Sequence, residues 1–237
     1  MATLKFVHPS TILFAGPTGC GKTQLVKQAI QQGLFTCRFD NIYWCYAEWQ
    51  PAYVDLASQT VAQLEFIKGL PDNLYDSLSP DRCNLLIIDD LMSEASNKQA
   101  ISDLFTKGSH HRNLSVLFIT QNLFHKGKEF RGVSLNSQYV VVFKNPRDKQ
   151  QIRTFAQQVM PDNFRFVLDS FTDATSKPHG YLLFDFRPET DDTLRIRTAI
   201  LPSDGGAIMY LPTKQLDCNR RVYKPSERTS IKGGGEI

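Results

Sequence analysis

Short, almost unbroken apolar runs alternate along this chain with stretches of helical periodicity. That alternation predicts an α/β fold in which a mainly parallel sheet is covered on both faces. Residues 12–15, 84–90, 115–120 and 139–144 supply the apolar runs, and 41–47, rich in Ile, Tyr, Trp and Cys, adds another strand. Between them, 24–32 reads as a helix with Leu25, Val26, Ala29 and Ile30 on one face, stopped by Gly33. Helices are also expected over 54–67, 93–108, 149–159 and 163–173, and a loop with a short helix over 123–136. Later in the chain, 180–186 and 194–200 predict two strands around a hairpin connection at 188–192, with Arg195 and Arg197 on one face. Glycine, proline and charge increase after Pro202, so the chain divides into one α/β domain at 1–200 and a basic, mobile extension at 201–237.

The first apolar run leads into Gly16-Pro17-Thr18-Gly19-Cys20-Gly21-Lys22-Thr23, two glycines with four residues between them followed by Lys and a hydroxyl. A loop of this kind between strand and helix aims backbone N–H groups and a helix N-terminus at one point, where polyphosphate charge is stabilised. Lys22 is placed to reach the β and γ phosphates, and the Thr23 hydroxyl to hold Mg²⁺. The run 85–88 ends in Asp89 and Asp90. Asp89 is the candidate Mg²⁺ ligand, usually through water, and Asp90 stands where it could orient or activate attacking water. The alternative reading has Asp90 capping the following helix. Gln121, at the tip of run 115–120, is placed to sense the γ phosphate or position water; Glu48 and Gln50 occupy a turn after 41–47 that could face nucleotide or a partner subunit.

Composition narrows the setting. At 237 residues there is room for one such domain but not for a second full catalytic one. No apolar run approaches the roughly 18 residues needed to span a bilayer, and residues 1–9 lack a signal-peptide core, so a soluble, intracellular protein is expected. The five cysteines, at 20, 37, 45, 83 and 218, form no Cys-x-x-Cys pair and read as reduced thiols, neither a disulfide framework nor a zinc site. His8 reads as structural, and the neighbouring His110 and His111 have no obvious partner set for a metal. The net charge of +3 hides an uneven distribution. Residues 107–153 hold nine Lys/Arg against two Asp/Glu, whereas 1–106 are net acidic. Such density, with Lys126, Lys128 and Arg131 in one loop, can mark contact with nucleic-acid phosphates.

Phosphate loop, Asp-Asp strand end and a strand ending in Gln, in that order, resemble the HerA and FtsK superfamily of DNA-pumping P-loop ATPases with RecA-like sheets. The words GPTGCGKT, LLIIDDLM, FTKGSHHRNLSVLFITQN and LNSQYVVVFKNPRDK look like the poxvirus-type genome-packaging ATPases of large DNA viruses and Polinton-like elements, over roughly residues 6–200. The resemblance implies an ATP- and Mg²⁺-dependent ring, usually a hexamer, that translocates double-stranded DNA without sequence preference into a capsid through its portal vertex, inside an infected cell or with the virion. It also implies an arginine supplied by a neighbouring subunit: Arg112 is the first candidate, with Arg147 and Arg131 behind it. One departure is that the superfamily's usual acid pair is Asp-Glu, where this chain has Asp89-Asp90; Glu94 stands nearby. Two other classes use the same loop: a nucleotide-gated virion assembly factor, which usually carries a membrane span, and a small-molecule kinase, against which the Gln strand argues.

Overall fold

The computed structural model describes residues 4–51, 53, 62–71, 74, 78–91, 100–105, 113–124, 128–212 and 228–230. Six parallel strands make one half of a single sheet: β1 (Thr11–Ala15), β2 (Asn41–Tyr46), β3 (Gln63–Lys68), β4 (Asn84–Asp89), β5 (Leu114–Thr120) and β6 (Tyr139–Phe143). Four antiparallel strands complete it: β7 (Tyr181–Asp185), β8 (Ile196–Thr198), β9 (Ile208–Tyr210) and β10 (Arg228–Ser230). The spatial order is β10-β9-β8-β7-β6-β1-β5-β4-β2-β3.

Burial explains why the apolar runs became strands. Every residue of β1, β4, β5 and β6 is buried, and successive side chains serve opposite faces. Ile12 and Phe14 of β1 face one core together with Leu25, Val26 and Ala29 of α1 (Lys22–Gln31). Leu13 and Ala15 face the other, with Ile152, Phe155, Phe166 and Phe171. The helix over 123–136 is α2 (Lys128–Asn136); α3 (Lys149–Val159) begins at an Asp148 whose side chain accepts from the N–H groups of Gln150 and Gln151, and α4 (Phe164–Ala174) follows. Each large aliphatic side chain fully withdrawn from water contributes about 1.5–3 kcal/mol. Two layers of them hold the sheet's centre, and its strand ends are thereby held in register.

Two expectations change. The helix expected over 54–67 gives way to β3 at 63–68, an edge strand parallel to β2; residues 54–61 lie outside the described residues. Its residues are exposed or half-buried, so β3 lacks the fully apolar stretch that marked its neighbours. The strand expected over 194–200 contracts to β8, and Arg195 and Arg197 do not share an environment. Arg195 lies half-exposed against Asp192, while the Arg197 guanidinium is fully buried against Asp185. Beyond β8, β9 pairs with β8 and β10 with β9. Of the helix expected over 93–108, residues 100–103 are helical, with Ile101 buried.

Asp185 anchors a charge cluster at the sheet's amino-terminal edge, opposite β6 residue Tyr139. Its carboxylate accepts from Arg187 Nε at 3.0 Å and Nη2 at 2.8 Å, from Thr190 Oγ1 at 2.9 Å and from both Arg197 Nη atoms at 3.2 Å. Burial pushes the carboxyl up, but the hydrogen bond from Arg187 and the charges of Arg197 and Arg187 outweigh it and hold Asp185 below the ordinary carboxylate range.

Candidate functional site

The loop between β1 and α1 has the conformation that its glycines permit. Gly21, at φ 103, caps α1, where no side chain satisfies the first N–H groups and no acid occupies the first turn. Those donors stay available to an anion. At Gly16 an added Cβ would lie 2.6 Å from Phe143 Cβ and 2.9 Å from Cys20 Sγ, so only glycine lets the loop pass so close to β6. Pro17, Thr18, Gly19 and Cys20 form the tip, tightened by Cys20 N–H donating to the Pro17 carbonyl at 3.3 Å. Lys22 is buried, and its ammonium folds back to donate to the carbonyls of Gly16 and, at 2.9 Å, Pro17. A buried cation is thus poised above the loop, bonded to carbonyls that an incoming phosphate oxygen can replace.

Across the sheet, β5 lies between β1 and β4, so the acids at the end of β4 reach the loop past the tip of β5. Asp89 is 4% exposed. Its Oδ2 accepts from Tyr53 Oη at 2.8 Å and from Thr23 Oγ1 at 3.4 Å. Asp90 adopts a left-handed φ of 58, its N–H donating to the Ile119 carbonyl at 3.0 Å, and its Oδ2 accepts from Gln121 Nε2 at 2.6 Å. Lys22, Thr23, Asp89, Asp90 and Gln121 therefore occupy the carboxyl ends of three adjacent strands and the helix start beside them. Hard oxygen donors from a hydroxyl and a buried carboxylate, brought together as Thr23 and Asp89 are, fit a magnesium ion.

Burial raises the Asp89 carboxyl above the usual carboxylate range, with Asp90 adding to the shift and Tyr53 and Lys22 opposing it. The sign follows: a carboxyl raised on folding favours the folded state below its ordinary value, and that contribution is lost as pH rises through the raised value. Asp89→Asn is accordingly expected to melt higher than the parent at neutral pH without divalent cation. Differential scanning calorimetry checks this, and a lower melting temperature for the variant contradicts it.

The other sequence candidates fall as follows. Arg112, Glu94, Lys126, His110 and His111 lie outside the described residues, as do the side chains of Lys128 and Arg131. Arg147 is exposed in the turn between β6 and α3, its N–H held by Asn145 Oδ1 at 3.1 Å. Glu48 is exposed and Gln50 half-exposed in the turn after β2, where the Gln50 carbonyl accepts from Tyr53 N–H at 3.1 Å. A cavity of about 410 Å³ opens beside Gly16 and Gln121, its rim carrying Lys144, Lys149 and Arg153 from the basic segment. Two site residues escaped the sequence reading. Tyr53 is buried beneath Asp89, and the His179 imidazole meets the Cys20 carbonyl through Nδ1 at 3.2 Å and packs over Gly21. Tyr53 follows a cluster of aromatics after β2, a faint signal; His179 is 159 positions from its partner and carries none.

A sheet ordered β6-β1-β5-β4-β2, with a glycine loop after β1 and acids after β4, is the α/β fold of the P-loop NTPases. Its solved structural relatives include B204, the DNA-packaging ATPase of Sulfolobus turreted icosahedral virus, at TM-score 0.51 and 12% identity, covering 84% of this chain and 98% of that one. The genome-packaging NTPase B204 of Sulfolobus turreted icosahedral virus 2 was solved with ATP-gammaS and with AMP. Each complex gives TM-score 0.50 and 14% identity over 80% of this chain and 96% of that one. No family model matches the chain, and no curated protein matches it. Among the described residues no helix is long and apolar enough to cross a membrane.

Proposed function

We propose that this chain is a Mg²⁺-dependent ATPase that moves double-stranded DNA into a viral capsid. The observation that carries the reading is the meeting of Thr23 with Asp89 and of Gln121 with Asp90 beside the ammonium of Lys22. Lys22 binds the β and γ phosphates, and the free N–H groups at the start of α1 hold the phosphate oxygens. Thr23 and Asp89 are the residues that hold magnesium, which when bound neutralises charge on the phosphates. Asp90 takes the proton of the attacking water, and Gln121, bonded to Asp90, fixes where that acid points. An arginine from a neighbouring copy, Arg112 first and Arg147 second, completes the site in a ring assembly of six at a portal vertex; such an arginine accelerates phosphoryl transfer by about 10³ to 10⁵. The basic segment 107–153 contacts the DNA backbone, with Lys126, Lys128 and Arg131 in the moving loop. This ring works inside the infected cell.

The fold shared with packaging NTPases supports this reading, as does the concentration of positive charge around the cavity beside the loop. Phosphate release is the test. Turnover per chain is expected to rise with protein concentration and again with duplex DNA of any sequence, and the DNA effect to fall steeply with salt. Equal rates with and without DNA at every protein concentration contradict the motor.

A further inference from the structure

At the amino-terminal edge of the sheet, on the side away from the phosphate loop, His8, Cys37 and Cys83 come together from three separate connections. One ring nitrogen of His8 and the two sulfurs all lie within 4.8 Å of one another, and all three residues are half-buried. We propose that these side chains form a structural zinc site, with His8 Nε2 and the Cys37 and Cys83 sulfurs as protein ligands and water or the Asp40 carboxylate completing a tetrahedron. Imidazole and thiolate are the donors zinc prefers, at about 2.0–2.1 and 2.3 Å. A tetrahedron of that size needs ligand atoms somewhat closer together than 4.8 Å, a closure that side-chain rotation supplies.

The scaffold around the three is already fixed. His8 N–H donates to Thr36 Oγ1 at 3.0 Å, next to Cys37, and the His8 ring packs edge-on against Phe39. Cys83 N–H donates to Asp40 Oδ2 at 2.8 Å while the Cys83 carbonyl accepts from Asp40 N–H at 2.9 Å, tying the segments before β2 and β4 together. That bond also holds the Asp40 carboxylate near Cys83. His8 Nδ1 meets Ser115 Oγ at 2.7 Å, the contact through which a zinc-binding imidazole is oriented from behind. The Asn113 side chain lies between the ligands, its Oδ1 at 2.8 Å from His8 Nε2 and its Nδ2 at 3.6 Å from Cys83 Sγ. It satisfies both groups that the metal would otherwise bind, and metal entry displaces it. No regular spacing announces this cluster, because its members sit 29 and 46 positions apart along the chain and converge only when β1, β2 and β4 align.

Cobalt(II) titrated into reduced, chelator-treated full-length protein tests the site. One equivalent is expected to bind with the intense visible absorption of tetrahedral cobalt and a thiolate charge-transfer band, and zinc to displace it. Both bands should vanish in Cys37→Ser and Cys83→Ser and persist in Cys218→Ser. Zinc at about a hundredfold excess over its Kd should raise the parent's melting temperature by roughly 5–10 °C. A parent protein that takes up no cobalt overturns the proposal, and so does binding that survives in the two serine variants. Isolation of the chain with a Cys37–Cys83 disulfide and no cobalt band after reduction overturns it as well. None of these readouts uses ATP turnover, so the zinc site and the ATPase reading stand or fall separately.

Discussion

Lys22→Ala protein is expected to keep its fold while losing ATP turnover by at least about 100-fold, the scale on which removal of one preorganised electrostatic group is felt. The Lys22 side chain is buried, and among the described residues its ammonium hydrogen-bonds to the Gly16 and Pro17 carbonyls and the neighbouring Cys20 sulfur. Truncation leaves the half-exposed Pro17 carbonyl to water and the buried Gly16 carbonyl without its donor, a cost of about 1–3 kcal/mol. Stability and activity therefore separate. Phosphate release measured beside a melting curve checks both, and a variant that hydrolyses ATP like the parent would move the chemistry away from this loop. Lys22→Arg is expected to fail too, because a broad guanidinium cannot occupy the space between the Gly16 and Pro17 carbonyls that a compact ammonium fills.

Asp185→Ala is expected to have the opposite profile: a loss of about 3–5 kcal/mol of stability with turnover per folded molecule unchanged. The Arg197 guanidinium is fully buried, and its partner carboxylate is Asp185. Removing the acid leaves the buried guanidinium on the Leu194 and Leu4 carbonyls without its carboxylate, while the phosphate loop lies at the opposite, carboxyl-terminal end of the strands. For a domain of this size the loss corresponds to a fall in melting temperature on the order of 10 °C. Pairing Asp185→Ala with Arg197→Met should restore much of it, since an apolar residue needs no counter-ion. A single variant that melts like the parent, or a double variant no better than the single, contradicts the account. Acid acts on the same cluster. Because folding lowers the Asp185 carboxyl, its contribution is present above the ordinary carboxylate value and is lost as pH falls through the lowered one.

How much of this was legible in the sequence depended on whether a residue's role is local. β1, β4, β5 and β6 were readable because a strand covered on both faces must be apolar at every position, and their runs are. The glycine loop was readable because its spacing is itself the geometry, and Asp89 and Gln121 because they end such runs. β3 was not readable: as an edge strand it needs no continuous apolar stretch, and Leu64 and Ile67 fit a helix face as well as a strand. Arg197 was misplaced because alternation over 194–200 assumed an unbroken strand, whereas a 3-10 turn at Asp192–Leu194 delays β8. Tyr53, His179 and the His8–Cys37–Cys83 cluster depend on contacts between distant segments, which no window along the chain contains.

The left-handed backbone at Asp90 bears on why this chain carries a second aspartate rather than a glutamate after Asp89. Short polar side chains enter that region more readily than long ones, because they can bond back to nearby main-chain groups. With the Asp90 amide anchored to Ile119 and its carboxylate to Gln121, a glutamate would carry its charge one methylene beyond the amide that receives it. The left-handed turn of the main chain thus sets the permitted length of the acid.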